Sequence, residues 1–405
     1  MTIGVGGSTA EAEFARMRDL TADVPAIGVE EWRARVERAQ MLMREKGISA
    51  LYLDSSVNLF YFTGINLKRT ERLHGAVIPA EGPVTYLSPV FEEPKTRTLL
   101  NFGDDIRGWE EHEDPTALVI ETIASLGFED GTVAVDPETP FFTFDGLRKA
   151  GNRYDFVNGT EITTPCRACK TAAEIALLKR SNEITIEVHK AAAAILREGI
   201  TTTEVEDFVQ EAYTRFGTTR PAGKPLIMFG EATAYPHGVP YPQTLKDGDM
   251  VLMDLGTFVK GYRSDITRTY VFGEPNARQR EVWDLEKQAQ SAGFAAATLG
   301  APCENVDKAA RAAVVGGGFG PDYALPGLPH RTGHGIGLDV HEEVYMVRGN
   351  MTPLAEGMCF SVEPTICIYG EFGIRLEDCA YMAADGAHWF TEPAKSIDDP
   401  FALDV

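Results

Sequence analysis

Three long segments of the chain carry apolar residues at the spacing of an amphipathic helix. The first, VEEWRARVERAQMLMREKG, runs from Val29 to Gly47, and glycine often marks the end of a helix. The other two, AAEIALLKRSNEITIEVHKAAAAILREG and TTTEVEDFVQEAYTRFG, lie between residues 172 and 217. The intervening ISALYLDSS, AVIPAEGPVTYLSP and TVAVD are typical of strands, with a turn at Glu81-Gly82-Pro83. The β-rich segments that follow residue 217 are separated by glycines.

This order of elements predicts two domains. A chain of 405 residues is longer than one hydrophobic core normally serves, and its apolar fraction of 44% is ordinary for a globular protein. We expect a polar lead-in at residues 1–28, an α/β N-terminal domain at 29–160 and an α+β domain at 161–405, with the boundary near Asn158 to Pro165.

Charge and composition exclude several classes of function. The net charge of -22 repels phosphate backbones, and no run of Lys or Arg offers a patch for nucleic acid or anionic lipid. Without an N-terminal signal pattern or a long apolar stretch, a cytoplasmic protein with no membrane association is expected. Cys166 and Cys169 form a CxxC without a second pair, so we expect thiols there that bind no metal.

Two aspartates lie in a segment that has the pattern of a hairpin, DMVLMDLGTFVKGYRSDITRTYVF, with its turn at Lys260-Gly261. In the register where paired residue numbers sum to 519, Asp254 lies opposite Asp265, with Cβ atoms about 5 Å apart. Such a carboxylate pair favours a bound cation, and two divalent ions about 3.5–4 Å apart suit it. The hairpin alone is also compatible with one surface aspartate and one turn aspartate.

A second segment, SVEPTICIYGEFGIRLEDCAYM, repeats the arrangement around Tyr369-Gly370-Glu371. It predicts Glu363 and Glu377 on facing strands. Arg375 shares a strand face with Glu377, whereas Asp378 points the other way and is expected to be structural.

Between the hairpins, PHRTGHGIGLDVHEE carries three of the eight histidines, His330, His334 and His341, among glycines that allow close approach of the backbone. This clustering indicates a site rather than isolated structural histidines. Four carboxylates and one imidazole favour Mn²⁺ or a similar divalent ion, with Co²⁺ or Zn²⁺ as alternatives. The HExxH motif of zinc proteases is absent, because His341-Glu342-Glu343 is followed by Val344 and Tyr345.

Together, the motifs MDLG with SDITRT, GHGIGLDVHE, SVEP and GIRLED resemble those of the creatinase, prolidase and methionine aminopeptidase superfamily, in the same order. The resemblance covers most of the chain and implies the pita-bread fold in the second domain. NLFYFTGI at residues 58–65 is similar to the added first domain of prolidases and aminopeptidases P. A prolidase is therefore expected, and the resemblance also implies a homodimer.

The resemblance also implies a role for each residue of the site. Two divalent cations would be held by Asp254, Asp265, His334, Glu363 and Glu377, with Asp265 and Glu377 bridging them. His237 and His341 match active-site histidines of the family. His330, Arg348 and Arg375 are expected at the substrate, Arg348 near the peptide carboxylate and Arg375 also orienting Glu377 or its neighbours. Proline-directed members usually carry a tyrosine where this chain has Cys367, and Tyr369 is a candidate to replace it.

The expected reaction is hydrolysis of an Xaa-Pro dipeptide by a hydroxide that bridges the two metals. Glu363 would accept the proton of that water, while His237 and His341 would hydrogen-bond the developing oxyanion. Three alternatives stay open: an aminopeptidase P that acts on longer peptides, a metal-free binding protein, and a lyase or other non-peptidase that uses the same metal site.

Overall fold

The computed structural model describes residues 2–218 and 224–403. It divides into two compact units, one formed by Ile27–Arg167 and the other by the rest of the described chain. The predicted lead-in at residues 1–28 is not a separate segment: up to Ala26 it belongs to the second unit, where it forms helix α1 (Ala10–Arg16). The ring of Phe14 stacks on Phe208, with 4.8 Å between ring centroids. The polar composition of residues 1–28 gave no indication of this packing.

The N-terminal unit is built on one six-stranded sheet. Its elements are α2 (Val29–Lys46), β1 (Ile48–Asp54), α3 (Val57–Thr63), β2 (Gly75–Pro79), β3 (Thr85–Pro89), α4 (Glu93–Leu99), β4 (Ile106–Trp109), α5 (Pro115–Ser125), β5 (Gly131–Val135), α6 (Phe141–Ala150), β6 (Tyr154–Asn158) and α7 (Thr160–Ala168). The strand order is β4-β3-β2-β1-β5-β6, and β1 pairs in parallel with β5 and antiparallel with β2.

Local sequence explains how this unit folds. Helix α2 ends at Gly47, whose φ of 69° is left-handed and favours glycine. The central strand β1 is buried along almost its whole length, and Tyr52 packs in one cluster with Val77 and Val133. A strand that is buried on both faces usually has a continuous apolar sequence, as in ALYL at residues 50–53.

The second unit combines helices with antiparallel sheets. Its further elements are α8 (Ala172–Ala194), α9 (Thr202–Arg215), β7 (Leu226–Phe229), β8 (Met250–Leu255), β9 (Phe258–Val259), β10 (Tyr262–Arg263), β11 (Ile266–Val271), α10 (Ala277–Ala296), α11 (Glu304–Gly316), β12 (Gly333–Gly335), β13 (Glu342–Met346), β14 (Cys359–Val362), β15 (Thr365–Ile368), β16 (Phe372–Arg375), β17 (Asp378–Ala383) and β18 (Gly386–Trp389). Thr171 and Thr201 cap α8 and α9 through capping boxes.

The strands of this unit form several short sheets. The described strands form sheets in the orders β11-β8-β7, β13-β12-β14-β17-β18, β10-β9 and β15-β16. Helix α10 packs against them: Trp283 is buried and its indole Nε1 donates to the carbonyl of Thr269, 2.8 Å away. This packing fixes the strands whose ends carry the acidic residues. No helix in the described ranges combines the length and the apolar composition needed to cross a bilayer.

Candidate metal centre

The first carboxylate pair lies on the hairpin that turns at Lys260-Gly261, as predicted. The predicted register was wrong by two residues. Val259 pairs with Tyr262 and Asp254 with Thr267, so paired numbers sum to 521 rather than 519. A two-residue turn at 260 and 261 fixes this sum. Asp265 is therefore a diagonal neighbour of Asp254, and since side chains alternate with period two both still face the same side.

The second carboxylate pair has the predicted arrangement. Val362 pairs with Asp378 and Thr365 with Arg375, and both pairs of numbers sum to 740. Glu363 and Glu377 also sum to 740, and they lie at the junction between these two short sheets. The amide of Glu363 donates to the carbonyl of Thr332 at 2.7 Å, which ties this junction to the histidine segment.

His334 lies on β12 with its ring almost completely buried, and it faces the carboxylates. Its Nε2 is 3.1 Å from Glu363, 3.6 Å from Asp265 and 3.9 Å from Glu377. The other ring nitrogen, Nδ1, is 3.0 Å from the carbonyl of Gly335. A carbonyl only accepts, so Nδ1 carries a proton and Nε2 is the ring nitrogen that would bind a cation.

The donor atoms of these residues fit divalent cations. Three groups have ligand atoms within 4.8 Å of one another: Asp254, Asp265, Glu377; His334, Glu363, Glu377; and Asp265, His334, His341. Glu377 is buried and its Oε2 accepts from Thr267 at 2.7 Å, while its Oε1 has no hydrogen-bond partner among the residues that the structure describes. A buried carboxylate oxygen without a partner is costly unless a cation binds it.

The carboxylates of the cluster repel one another when no metal is bound. Burial, followed by repulsion from Asp254, raises the pKa of Asp265 well above its usual range. Burial and the charge of Asp265 raise the pKa of Glu377 in the same way. Burial opposes ionisation of Glu363 too, but the neighbouring His334 brings its pKa down to about 2. Such mutual repulsion is what a pair of divalent cations would neutralise.

Arg375 binds Asp254 directly and is linked to Glu377 through the hydroxyl of Thr267. Its guanidinium donates to Asp254 at 2.6 Å, to the hydroxyl of Thr267 at 3.0 Å and to the carbonyl of Pro236 at 3.0 Å. Thr267 in turn donates to Glu377. Arg375 is buried and holds two of the carboxylates in place, one directly and one through Thr267. A contact between Arg375 and substrate stays a prediction.

The three other histidines of interest differ in their surroundings. Both ring nitrogens of His330 are engaged, Nδ1 with the carbonyl of Arg331 at 2.6 Å and Nε2 with the hydroxyl of Thr365 at 3.0 Å. His341 is exposed and its ring lies edge-on to His334, with 4.3 Å between centroids. His237 is exposed on the loop that follows Pro236, the residue bound by Arg375. Their roles toward substrate stay predictions.

Two further positions singled out by the sequence are Arg348 and the alternative pair Cys367 and Tyr369. The Arg348 side chain is half exposed, ion-paired with Asp322, and near the ring of Tyr323. Its proposed contact with a peptide carboxylate stays a prediction. Cys367 is fully buried, whereas Tyr369 lies in the turn between β15 and β16, so it does not occupy the strand position that was considered for it.

Sequence reasoning missed the residues that support the ligands. Asp307 accepts from the amide and the hydroxyl of Thr332 and from Arg311, and so fixes the start of the histidine segment. Lys170 forms a buried ion pair of 2.9 Å with Glu342, next to His341. Thr267 belongs to the SDITRT motif, where its spacing of two from Asp265 was a usable signal. No local pattern identifies Asp307, which lies on helix α11 and meets Thr332 only through the fold.

Comparison with known proteins agrees with this geometry. Residues 176–384 match the model of metallopeptidase family M24, and residues 35–169 match the creatinase/prolidase N-terminal domain. A putative dipeptidase of Bacillus subtilis, YkvY, is 32% identical over 364 residues, which cover 90% of this chain and 99% of that protein. An Xaa-Pro dipeptidase of Lactobacillus helveticus is 28% identical over 365 residues, 89% of this chain and 98% of the relative.

Solved structures give the same result. The crystal structure of a recombinant prolidase from Thermococcus sibiricus superimposes with a TM-score of 0.82 at 29% identity, covering 90% of this chain and 98% of that one. The prediction of an α/β N-terminal domain and an α+β pita-bread catalytic domain is confirmed. With its second unit matched to the family model and a relative above 30% identity along nearly its whole length, this chain belongs to metallopeptidase family M24.

Proposed function

We propose that the protein is a dinuclear-metal exopeptidase that hydrolyses the Xaa-Pro bond of dipeptides. The observation that carries the proposal is that four carboxylates and His334 form overlapping groups of possible ligand atoms, with one oxygen of Glu377 lacking a hydrogen-bond partner among the described residues. The names of the relatives, an Xaa-Pro dipeptidase and a prolidase, support the choice of substrate. The small peptide is the expected partner, and homodimer formation and a cytoplasmic location stay predictions.

The residues Asp254, Asp265, His334, Glu363 and Glu377 would hold the two cations. An oxygen-rich donor set favours Mn²⁺, with Co²⁺ or Zn²⁺ as alternatives. When bound, the pair of cations would lower the pKa of an intervening water from 15.7 toward about 7 and polarise the scissile carbonyl.

Side chains of the protein supply the proton transfer and the binding of substrate. Glu363 would accept a proton from the attacking water and deliver it to the leaving nitrogen. His237 and His341, both exposed beside the ligands, would donate to the carbonyl oxygen of the scissile bond. The prolyl nitrogen has no N–H, so recognition has to come from the shape of the site and from the peptide termini.

The test is an assay of the metal-stripped protein after Mn²⁺, Co²⁺ or Zn²⁺ is added back, with Ala-Pro, Ala-Ala and Ala-Pro-Ala as substrates. We expect metal-dependent cleavage of Ala-Pro alone. Asp265→Asn should lower kcat/KM at least about a thousandfold, because Asp265 belongs to two of the ligand groups. Asp284→Asn, at an exposed position of helix α10, is the matched control and should retain activity.

Other outcomes would change the assignment. Cleavage of Ala-Pro-Ala would indicate an aminopeptidase P. Absence of turnover with two metal ions bound, measured by metal analysis of the dialysed protein, would contradict the peptidase proposal and favour a binding protein or a lyase.

A further inference from the structure

Helix α8 presents two polar side chains to the segment that carries Asp265. Thr185 and His189 are four residues apart, so they lie on the same face of the helix. Both residues are completely buried. A polar group in the protein interior costs free energy unless it has a hydrogen-bond partner. The partners of these two side chains therefore indicate what this face of the helix contributes.

Both partners are immediate neighbours of Asp265 in the chain. The hydroxyl oxygens of Thr185 and Ser264 are 2.7 Å apart. Nε2 of His189 is 2.9 Å from the carbonyl oxygen of Ile266 and donates to it, because a carbonyl has no proton to give. Helix α8 thus holds the chain one residue before Asp265 and one residue after it.

A directed series of hydrogen bonds passes through Thr185. Its hydroxyl accepts from the hydroxyl of Tyr213 on helix α9, 3.4 Å away. The hydroxyl of Ser264 accepts from the amide of Thr257 at 3.0 Å and donates to the carbonyl of Thr257 at 3.3 Å. Since a hydroxyl has one proton, Thr185 donates to Ser264. The series joins two helices to both sides of the hairpin turn at Lys260-Gly261.

The carbonyl oxygen of Asp265 is engaged by a third element. The thiol of Cys379, a buried residue on strand β17, donates to this oxygen over a distance of 3.1 Å. Asp265 is therefore fixed through its own carbonyl and through both of its neighbours. Its carboxylate belongs to two of the three groups of possible metal ligands.

This support matters because Asp265 lies outside the regular strands. Strand β10 ends at Arg263 and β11 begins at Ile266, so Asp265 is in the break between them. The repulsion among the carboxylates would move a loosely held aspartate away from its neighbours when no cation is bound. A backbone fixed from outside the centre prevents this movement and lowers the cost of ordering the ligand when a cation binds.

We propose that Thr185 and His189 are positioning residues of the metal centre, which fix the backbone on both sides of Asp265 so that its carboxylate can bridge two cations. The inference rests on the proposed function for the bridging role of Asp265. It gives a part in metal binding to helix α8, which carries none of the five predicted ligands.

The test measures Mn²⁺ binding to the metal-stripped protein by competition with a chelator. Thr185→Val and His189→Leu each remove one hydrogen bond and should weaken binding about 10- to 100-fold. The second equivalent of Mn²⁺ should be lost first, because Asp265 is the ligand that both ions share. Paramagnetic resonance would follow this loss, since a coupled pair of Mn²⁺ ions and a single ion give different spectra.

Conservative variants and a control separate positioning from general damage to the fold. Thr185→Ser and His189→Gln retain a group that can make the same hydrogen bond, so both should bind two Mn²⁺ ions with nearly the affinity of the wild type. Ser181→Ala is the matched control. Ser181 is buried on the same helix, but its hydroxyl donates to the carbonyl of Leu178 within that helix. This variant should leave the affinity unchanged.

The outcomes distinguish this inference from the proposed function. If the wild type binds two Mn²⁺ ions and cleaves no dipeptide, the proposed function fails, whereas a loss of affinity in Thr185→Val and His189→Leu still supports the inference. Unchanged affinity in these two variants, an equal loss in Ser181→Ala, or a loss that Thr185→Ser and His189→Gln share would overturn it. A wild type that binds no Mn²⁺ would overturn both.

Discussion

Glu377 and Asp378 are consecutive residues, and both carboxylates are buried. The protein satisfies Asp378 completely: one oxygen accepts from Arg268 at 2.6 Å and the other from Gln290 at 2.9 Å. Within the described part of the chain, Glu377 receives one hydrogen bond, from Thr267, and its second oxygen has no hydrogen-bond partner. Asp378 is thus fully paired with protein groups, whereas Glu377 keeps an oxygen that can bind a cation.

The difference separates a structural role from a functional one. A buried charge that is paired by the protein stabilises one conformation, while an incompletely paired charge destabilises the fold until a ligand neutralises it. Glu377 and Asp378 have different surroundings because successive side chains of an extended chain point to opposite sides. Asp378 faces α10 and Arg268, and Glu377 faces Asp265 and His334. Both surroundings can be tested by substitution.

The largest expected effect is on stability, when Asp378 loses its buried partner Arg268. Arg268 is fully buried, so Arg268→Met leaves Asp378 charged and unpaired and should lower the free energy of unfolding by about 3–5 kcal/mol. Urea titration would measure this change. Added Mn²⁺ should not restore the loss. Arg278→Met, which removes an exposed pairing with Glu281, should change stability by less than about 0.5 kcal/mol.

A smaller effect is expected for the arginine that holds Asp254. Arg375→Lys keeps the charge but cannot make the three contacts to Asp254, Thr267 and Pro236 at once. We expect metal affinity to fall about 10- to 100-fold, measured by competition with a chelator. Arg280→Lys alters an arginine paired with Asp398 and should leave metal affinity unchanged. Equal losses in both variants would contradict a specific role of Arg375.

His189 sharpens the comparison as a buried group that the protein keeps neutral. Burial lowers its pKa from 6.5 to about 3, and its Nε2 is 2.9 Å from the carbonyl of Ile266, beside Asp265. The folded pKa is below the unfolded one, so its contribution to stability is present above about pH 6.5 and is lost as pH falls toward 3.

Between pH 6.5 and 5.5 the loss should approach 1 kcal/mol in the metal-free protein. His189→Gln can still donate to Ile266 and does not titrate. The difference between wild type and this variant in urea unfolding across that interval gives the contribution of His189. Parallel curves would show that another group dominates.

Much of the candidate site could be predicted from local sequence, because the position of a hairpin turn determines which residues on its two strands lie close together. The turn at Tyr369-Gly370-Glu371 gave the correct register for the strands on either side of Glu363 and Glu377. The turn at Lys260-Gly261 was also correct, but the register drawn from it was not, and the conclusion that Asp254 and Asp265 share a face survived only because the error was an even number of residues. Strand periodicity therefore predicts faces more reliably than partners.

Contacts between distant segments could not be predicted in this way. The pairing of Arg375 with Asp254 and that of Arg268 with Asp378 depend on how the two hairpins pack, and neither arginine differs in local pattern from a solvated strand residue. The lead-in was misjudged for the same reason. Its helix α1 is short and polar, and it is fixed by contacts such as Phe14 with Phe208 that only the folded chain brings together.

The most direct test compares Glu377→Gln with Asp378→Asn for metal affinity and for the unfolding free energy of the metal-free protein. Glu377→Gln should lose metal affinity and yet be as stable as the wild type or up to about 1 kcal/mol more stable, because it relieves repulsion with Asp265. Asp378→Asn should lose about 3 kcal/mol, because it leaves Arg268 buried without its charged partner. Equal destabilisation of the metal-free protein by both substitutions, with metal affinity retained by Glu377→Gln, would contradict the assignment of Glu377 to a metal centre.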